Sequence, residues 1–461
     1  MAELAAILDE LDGLQVETRP QRVRRRSRDF YWYSPILKRQ LDHVTGDAVV
    51  TVRDEAELVR VVRWAYAHDV PLTVRGGGTG NYGQAMPLAG GVVLDLSAMT
   101  RVKEIELGKV RVEAGATILD VDRACREASG QELRFHPSTR ATGTIGGYVA
   151  GGSSGIGSVT WGLLRDPGNI LAARVVTMEA EPRVLELAGA EVQKVNHAYG
   201  TNGIITELEM PLAPAYPWRE IVLAFDDFMA ACRFADGIAK MDGLTKKLVC
   251  VLPAPIAGRW VMPELAGEGD HLVLLMVADT MAEIFRDHVA ATAPGARVLM
   301  DVAEAARPEG ALPLYEYTWN HTTLHCLKHT RAITYLQTLF PPPDHLAKVE
   351  ELWRHFGEEV HPHLEFVRFG GEIACFGLQV VAYTSDARLQ AIMAEHNARG
   401  CPIFNPHDYT LEGGGMKKVD HLQLDFKREA DPKGLLNPGK MIGWENPDYD
   451  ESADRRFLYE H

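Results

Sequence analysis

The stretch Val70-Pro71-Leu72-Thr73-Val74-Arg75-Gly76-Gly77-Gly78-Thr79-Gly80-Asn81-Tyr82-Gly83 runs from an apolar, β-branched segment into clustered glycines. A strand ending in such a cluster can lay backbone N–H groups against a phosphate, because glycine puts no Cβ in the way. Within it, Gly78-Thr79-Gly80-Asn81-Tyr82-Gly83 satisfies the G-x-G-x-x-G spacing, which marks a dinucleotide fold only when a helix opens at the last glycine. Beyond Gly83 the chain continues as Ala85-Met86-Pro87-Leu88-Ala89-Gly90-Gly91 and then Val92-Val93-Leu94-Asp95-Leu96, a proline-containing loop and a short buried strand. The sequence therefore predicts a phosphate-bearing cofactor held by a loop between two strands. Its amides form an anion-binding nest, in place of the helix-dipole site of a nicotinamide Rossmann domain.

The chain of 461 residues is long enough for two or three domains, and 46% hydrophobic with 24% charged residues is ordinary for a globular enzyme. A net charge of -15 opposes attraction to nucleic acid or an anionic membrane and points to a small-molecule partner. The longest apolar run, residues 272–278, is far short of the ~20 residues that span a bilayer and reads as a core strand. The first fourteen residues mix Glu3, Asp9, Glu10 and Asp12 with apolar residues at helical spacing, and we read no export signal there. Six scattered cysteines, at positions 125, 232, 250, 326, 375 and 401, form no zinc or redox motif and read as reduced thiols of a cytoplasmic protein. The basic cluster Arg19, Arg22, Arg24, Arg25, Arg26 and Arg28, followed by Tyr31-Trp32-Tyr33, reads as a solvated, partly extended arm, with anion or partner recognition as the alternative.

Residues 47–75 read as strand, helix and strand, the helix capped by Asp54 and Glu57 and carrying Leu58, Val61, Val62 and Ala65 on one face. A second strand and helix come next, the latter over residues 117–129. The tract 135–162 is then rich in glycine and hydroxyl residues, which implies backbone in close approach to something. Three prolines in residues 211–217 suggest a domain crossing. From 219 to 399 strands and helices alternate, including a strand over residues 373–383 and a helix over 387–398, as in an α+β layer with an antiparallel sheet.

Taken in order, Val74 to Gly80, Gly91 to Ser97, Ala141 to Gly147, Gly203-Ile204-Ile205-Thr206-Glu207 and Gly434-Leu435-Leu436-Asn437-Pro438-Gly439-Lys440 resemble FAD-linked oxidases of the vanillyl-alcohol oxidase and p-cresol methylhydroxylase (PCMH) type. The likeness covers about residues 40–215 and 400–442. It implies an α+β fold in which a two-subdomain FAD-binding domain is split around an α+β cap. We divide the chain into an N-terminal arm (1–39), the first part of the FAD domain (40–215), a substrate or cap domain (216–400) and a segment returning to the FAD domain (401–461). By the resemblance, Arg75 and the amides of Gly76, Gly77, Gly78, Thr79 and Gly80 hold the pyrophosphate. Pro137, Ser138, Thr142, Thr144, Gly146 and Gly147 line the flavin and ribityl region, with Gly152 also assigned to the cofactor. Ile204 lies toward adenine, and Asn437 and Lys440 lie near the ring. Relatives that attach the flavin covalently use a histidine in the first loop, where this chain has Thr79 and glycines, so FAD is expected to be dissociable.

The implied activity is removal of a hydride from a CH–OH group of a small alcohol or hydroxy acid, with a protein base taking the proton and oxygen or another acceptor taking the electrons. A flavin-binding electron-transfer or accessory subunit, and oxidation of a phenol or amine, are the alternatives; a homodimer stays open. The glycolate oxidase and D-lactate dehydrogenase-like members, nearest in local pattern, carry a His-x-Gly-Asp-Gly-Asn-x-His metal motif that is absent here, and Glu412-Gly413-Gly414 replaces a later Glu-His-Gly. No metal is expected. His321, His325 and His329 share one face at i, i+4, i+8 and read as substrate-lining, metal-binding or structural. His407 or Tyr409 as base, beside Glu412, and Arg368 as an anion clamp complete the candidates, along with His321 and His325.

Overall fold

The Asp54 side chain starts the helix Glu55–Ala67 by accepting the Glu57 N–H at 2.9 Å. Glu57 reaches one residue further back than a capping box does and takes the Arg53 N–H at 2.8 Å. The predicted stripe Leu58, Val61, Val62 and Ala65 is buried against the strands Ala48–Thr51, Leu72–Arg75 and Val92–Asp95. The computed structural model describes residues 7–414, 420–446 and 448–449; Met1 to Ala6 and Gly415 lie outside these, as does the tail from 450. The three strands run parallel, with Val92–Asp95 in the middle, and Gln15–Glu17 adds antiparallel beside Ala48–Thr51. No helix opens after Gly83; the chain loops directly to Val92–Asp95.

The basic N-terminal segment is folded where the sequence suggested an extended arm. Pro20 opens a short helix, Pro20–Arg26, with Val23 buried. The cationic side chains find local counter-charges: Arg19 pairs with Glu17 at 2.5 Å, Arg26 with Asp95 at 3.2 Å, and Arg28 donates to the Asp42 carbonyl at 2.7 Å. The segment then packs on the glycine loop, Phe30 N–H donating to the Gly80 carbonyl at 2.7 Å.

The second layer is an antiparallel sheet in the order Val102–Glu106, Lys109–Glu113, Ile204–Pro214, Ala172–Val176, Val184–Ala188, with Gln131–Leu133 paired to the far end of Ile204–Pro214. Pro211 lies inside that strand and Pro214 is its last residue, so the crossing into the next unit falls at residues 215–217. The third sheet has eight antiparallel strands, ordered Arg297–Ala303, Trp218–Phe225, His271–Ala278, Lys246–Leu252, Leu364–Phe369, Glu372–Gly377, Gln337–Phe340, Ile403–Phe404. Period-two alternation gives it two apolar faces. Ile221, Leu223, Val273 and Leu275 face a cluster shared with the helices Phe228–Lys240, His345–Phe356 and Asp386–Ala398. Val222, Ala224, Leu272 and Leu274 face the opposite way, onto Tyr33, Tyr82, Tyr315 and Leu327. The expected strand 373–383 is two strands, Glu372–Gly377 and Val380–Ala382, because the chain changes sheet at Leu378-Gln379 and the second piece pairs with Ile333–Tyr335 and Val360–His361. The last strand, Ile403–Phe404, still belongs to the eight-stranded sheet, so the return begins after it rather than at 401.

The return is tied down by a buried ion pair. Lys427, on the helix His421–Ala430, reaches Asp431 at 2.7 Å and the Thr201 carbonyl at 2.7 Å. Asp431 in turn accepts the N–H groups of Leu435 at 2.9 Å and Leu436 at 2.8 Å, and Leu436 bridges to Leu72 at the strand entering the glycine loop. Asn437 comes next at φ 41°, a left-handed backbone that asparagine tolerates. Its amide donates to the carbonyls of Gln84 at 2.8 Å and Tyr199 at 2.7 Å.

Candidate functional site

After Arg75 the strand opens into residues 76–80, whose backbone N–H groups donate no hydrogen bond to protein among the described residues. This loop lies against the second glycine-rich tract. A Cβ on Gly76 would sit 2.0 Å from Thr144 Oγ1, and one on Gly77 2.2 Å from the Thr142 carbonyl oxygen, so only glycine permits the contact. Thr144 caps the turn Ile145–Gly151, its hydroxyl accepting Gly147 N–H at 3.2 Å. Arg75 folds back beneath the loop and donates to the carbonyls of Arg28 at 2.6 Å and Gly77 at 3.4 Å.

The loop forms the floor of a cleft enclosing about 1450 Å³, its open mouth included. Of the residues assigned from the sequence, Arg75, Gly76 to Gly80, Pro137, Ser138, Thr144, Gly146 and Gly147 line it. Thr142 and Ile204 lie behind the lining: Thr142 supports Gly77 with its carbonyl, and Ile204 is core between Gly203 and Ile205, which do line the cleft. Asn437 acts from behind through Gln84 and Tyr199, both lining residues. Lys440 is fully buried with its Nζ donating to the Gly83 carbonyl at 2.5 Å. Sequence reasoning missed Asp29, which lines the cleft with its carboxylate accepting Tyr31 N–H at 2.9 Å and Ala85 N–H at 3.2 Å. Burial pushes the Asp29 carboxyl up and the Lys440 ammonium down, while the charge of each partly restores the ionised form of the other. The one signal for Asp29 in the sequence was a lone acid closing an arginine run.

A second chamber of about 780 Å³ continues from the first beneath the eight-stranded sheet, the two sharing Asn81, Gln84, Pro137, Ser138, Ser153 and Asn320. Gly152 lines this chamber at φ 68°. Its walls on the sheet side are Trp319, Phe376, Leu378 and Phe404, with Gln337 and Thr338 between them. No Asp, Glu, Lys, Arg or His is among its described lining residues.

The catalytic candidates separate. His321, at the start of the helix Asn320–His329, lines the cleft, and its Nδ1 lies 2.6 Å from Glu316 Oε2. His325, one turn on, stacks on Tyr317 at 4.9 Å and bonds the Glu316 carbonyl at 3.1 Å; burial pushes it down to about 4. His329 is exposed. His407 is buried away from both chambers, its Nε2 2.9 Å from the Tyr335 carbonyl and its Nδ1 2.7 Å from Ser34 Oγ. The expectation of His407 as base is therefore not matched by its placement. Tyr409 lines neither chamber and packs its ring 5.0 Å from Lys440 Nζ. Glu412 accepts the N–H groups of Ile442 at 2.8 Å and Gly443 at 3.0 Å, a capping role. Arg368 sits in a separate concavity with Asp242 and Glu372, its guanidinium 2.5 Å from Asp242, so it does not clamp an anion in either chamber. Sequence spacing could not locate these residues relative to the cleft because long-range packing sets their positions, as in the contacts of His407 with Ser34 and Tyr335.

Cys250, His363 and Glu365 form one buried group with metal-ligand chemistry, their ligand atoms within 4.8 Å of one another. The six cysteines are all unpaired and buried. Among the described residues no helix is long and apolar enough to cross a membrane.

A cleft floored by unpartnered amides, with glycines that a Cβ would displace, fits a bound diphosphate, and the chain matches a family described as an FAD binding domain over residues 46–186. It is an FAD-dependent oxidoreductase. Over those residues it is similar to the FAD-linked oxidases with a PCMH-type FAD-binding domain. The chain is 24% identical over 439 residues to a D-lactate dehydrogenase of Archaeoglobus fulgidus, covering 86% of this chain and 91% of that protein. It is 29% identical over 428 residues to the glycolate oxidase subunit GlcD of Bacillus subtilis, covering 86% and 89%. Among solved structures, an alkyldihydroxyacetonephosphate synthase superposes with a TM-score of 0.71 at 16% identity, covering 94% of this chain and 86% of that one, which shows the shared fold.

This geometry makes two outcomes measurable. Gly76→Ala, whose Cβ must displace Thr144, weakens FAD binding at least about tenfold in a fluorescence-quench titration, whereas Gly237→Ala, in open space on its helix, leaves it unchanged; equal affinities contradict the cradle. For His407, burial pushes the folded-state value down from 6.5 to about 4. Between those values the unfolded chain binds a proton that the folded one does not, so stability falls as pH falls through this window and is unaffected above it. His407→Gln should flatten the decline of Tm over that range; an unchanged slope contradicts the assignment.

Proposed function

We propose that this enzyme oxidises the CH–OH group of an uncharged organic alcohol with an apolar body, using non-covalently held FAD. The observation that carries the reading is the junction itself: a cleft with a diphosphate cradle opens into an aromatic-walled chamber with no charged side chain among its described lining residues, Asn320 lines both, and His321 beside it lines the cleft. The names of the D-lactate and glycolate relatives support oxidation at CH–OH. The chamber favours an alcohol over their acids, because a carboxylate there would lose its hydration with no cation among the described lining residues. Arg75 does not serve, since it is folded under the loop on the carbonyls of Arg28 and Gly77.

When bound, the flavin supplies the acceptor for the substrate hydride and passes the electrons to oxygen or another acceptor. His321 takes the hydroxyl proton on Nε2. Its Nδ1–H donates to Glu316 at 2.6 Å, which fixes the tautomer that leaves Nε2 as acceptor and stabilises the imidazolium once it forms. Asn320 orients the hydroxyl, and the aromatic walls keep water from the reacting carbon. Thr79 in the first loop offers no site for a histidyl linkage, and the unpaired buried cysteines agree with a reducing, cytoplasmic setting.

Anaerobic bleaching of the oxidised flavin band tests the reading. Benzyl alcohol should reduce the flavin faster than mandelate, and His321→Ala should slow reduction by roughly 10²–10⁴-fold. Undiminished reduction in that variant contradicts the assignment. Acid precipitation should release the yellow colour to the supernatant; a flavin peptide in the pellet contradicts non-covalent binding.

A further inference from the structure

The group Cys250, His363 and Glu365 lies beneath the chamber wall, and it faces a strained residue. Trp319 has φ 52° and ψ −140°, a backbone region that glycine adopts freely and a bulky side chain does not. It is also the residue at which the helix Asn320–His329 begins, so its geometry sets where Asn320 and His321 emerge. The Trp319 N–H donates to Glu365 Oε1 at 2.6 Å. The same oxygen lies 2.8 Å from His363 Nε2, and Thr322, in the first turn of the helix, approaches that nitrogen at 3.4 Å. Glu365 is 1% exposed and His363 fully buried, and the Cys250 thiol, pushed up by burial and by Glu365, completes the surround. A buried carboxylate held this way is costly to remove, because the Trp319 N–H would lose the acceptor it has at 2.6 Å.

We infer that Glu365 is a positioning residue for the reacting end of the site. By holding the Trp319 N–H it keeps Trp319 in its strained backbone, sets the Trp319 ring as a wall of the second chamber, and fixes the entry of the helix that presents Asn320 and His321. His363 holds the same oxygen, its Nε2 2.8 Å from Glu365 Oε1. The group acts as a hydrogen-bonded anchor. The inference rests on the proposed site at His321 for its kinetic consequence, but the chamber wall can be tested without turnover.

The experiment uses the FAD-loaded enzyme and the variants Glu365→Ala and Glu365→Gln. Two readouts are taken: the saturating rate of anaerobic flavin reduction by benzyl alcohol, and the affinity for benzamide, an uncharged, non-reacting probe, from the flavin difference spectrum. Glu365→Ala should lower the saturating rate and weaken benzamide binding, each by about tenfold or more, with FAD affinity held within about twofold because the 76–80 loop is untouched. Glu365→Gln, which keeps an oxygen acceptor for the Trp319 N–H, should restore both to within about threefold. Since glycine needs no anchor at φ 52°, adding Glu365→Ala to Trp319→Gly should cost little more than Trp319→Gly alone. That pair keeps the test open if Glu365→Ala does not fold. A Glu365→Ala enzyme that melts earlier but keeps wild-type rate and benzamide affinity overturns the inference. So does one equivalent of zinc retained by the wild-type protein and lost in Glu365→Gln. If His321→Ala leaves reduction unchanged, the proposed chemistry fails, and the benzamide arm still decides the role of Glu365.

Discussion

The backbone contact between residues 76–77 and 142–144 is the constraint on which the site depends. Two segments from different layers, one at the end of a parallel strand and one ahead of a short helical turn, approach until a single Cβ would not fit. The amides of residues 76–80 donate to no protein group among the described residues, and these residues line the cleft. An anion is the ligand that such a set of fixed donors recognises without any charged side chain reaching for it. The C-terminal return reinforces the arrangement from behind: the buried Lys427–Asp431 pair organises residues 435–437, and Asn437 ties the loop after the cradle to Tyr199.

The cap contributes a different kind of surface. Its eight-stranded sheet is apolar on both faces, one filled by its own helices and the other turned toward the aromatic residues around the cleft. Between the cradle and this second face lies space whose described lining residues carry hydrogen-bonding groups and no charged side chain. In the proposed reaction the two units divide the work: one holds the cofactor by its phosphates, and the other selects the substrate and supplies the histidine that takes its proton. Of the ionisable groups in and behind the cleft, Asp29 and Lys440 are buried, and the charge of each favours the ionised form of the other.

Much of the fold was legible because local signals agreed with the tertiary structure. Asp54 caps the helix it was expected to cap, Thr117 begins the helix Ile118–Ser129, and the missing helix after Gly83 distinguishes this loop from a Rossmann fingerprint. What the sequence concealed was mostly long-range. Pro211 reads as a breaker, yet it lies within a strand paired on both sides. The arginines of residues 19–28 are solvated as expected, but their backbone is a short helix and Glu17, Asp95 and Asp42 lie beside them. His407 and His321 are equal candidates by residue type, and only the packing shows that one has both ring nitrogens committed to Ser34 and Tyr335 while the other lines the cleft. Glu365 gave no signal at all, because its importance lies in the backbone of a residue 46 positions away.

The most direct test of the account is a crystal structure of the FAD-loaded enzyme. It should show the pyrophosphate oxygens accepting hydrogen bonds from the amides of residues 76–80, and the reactive face of the ring at the junction shared by Ser138 and Asn320, open to the second chamber. A pyrophosphate held elsewhere, or a ring directed away from that junction, would contradict it.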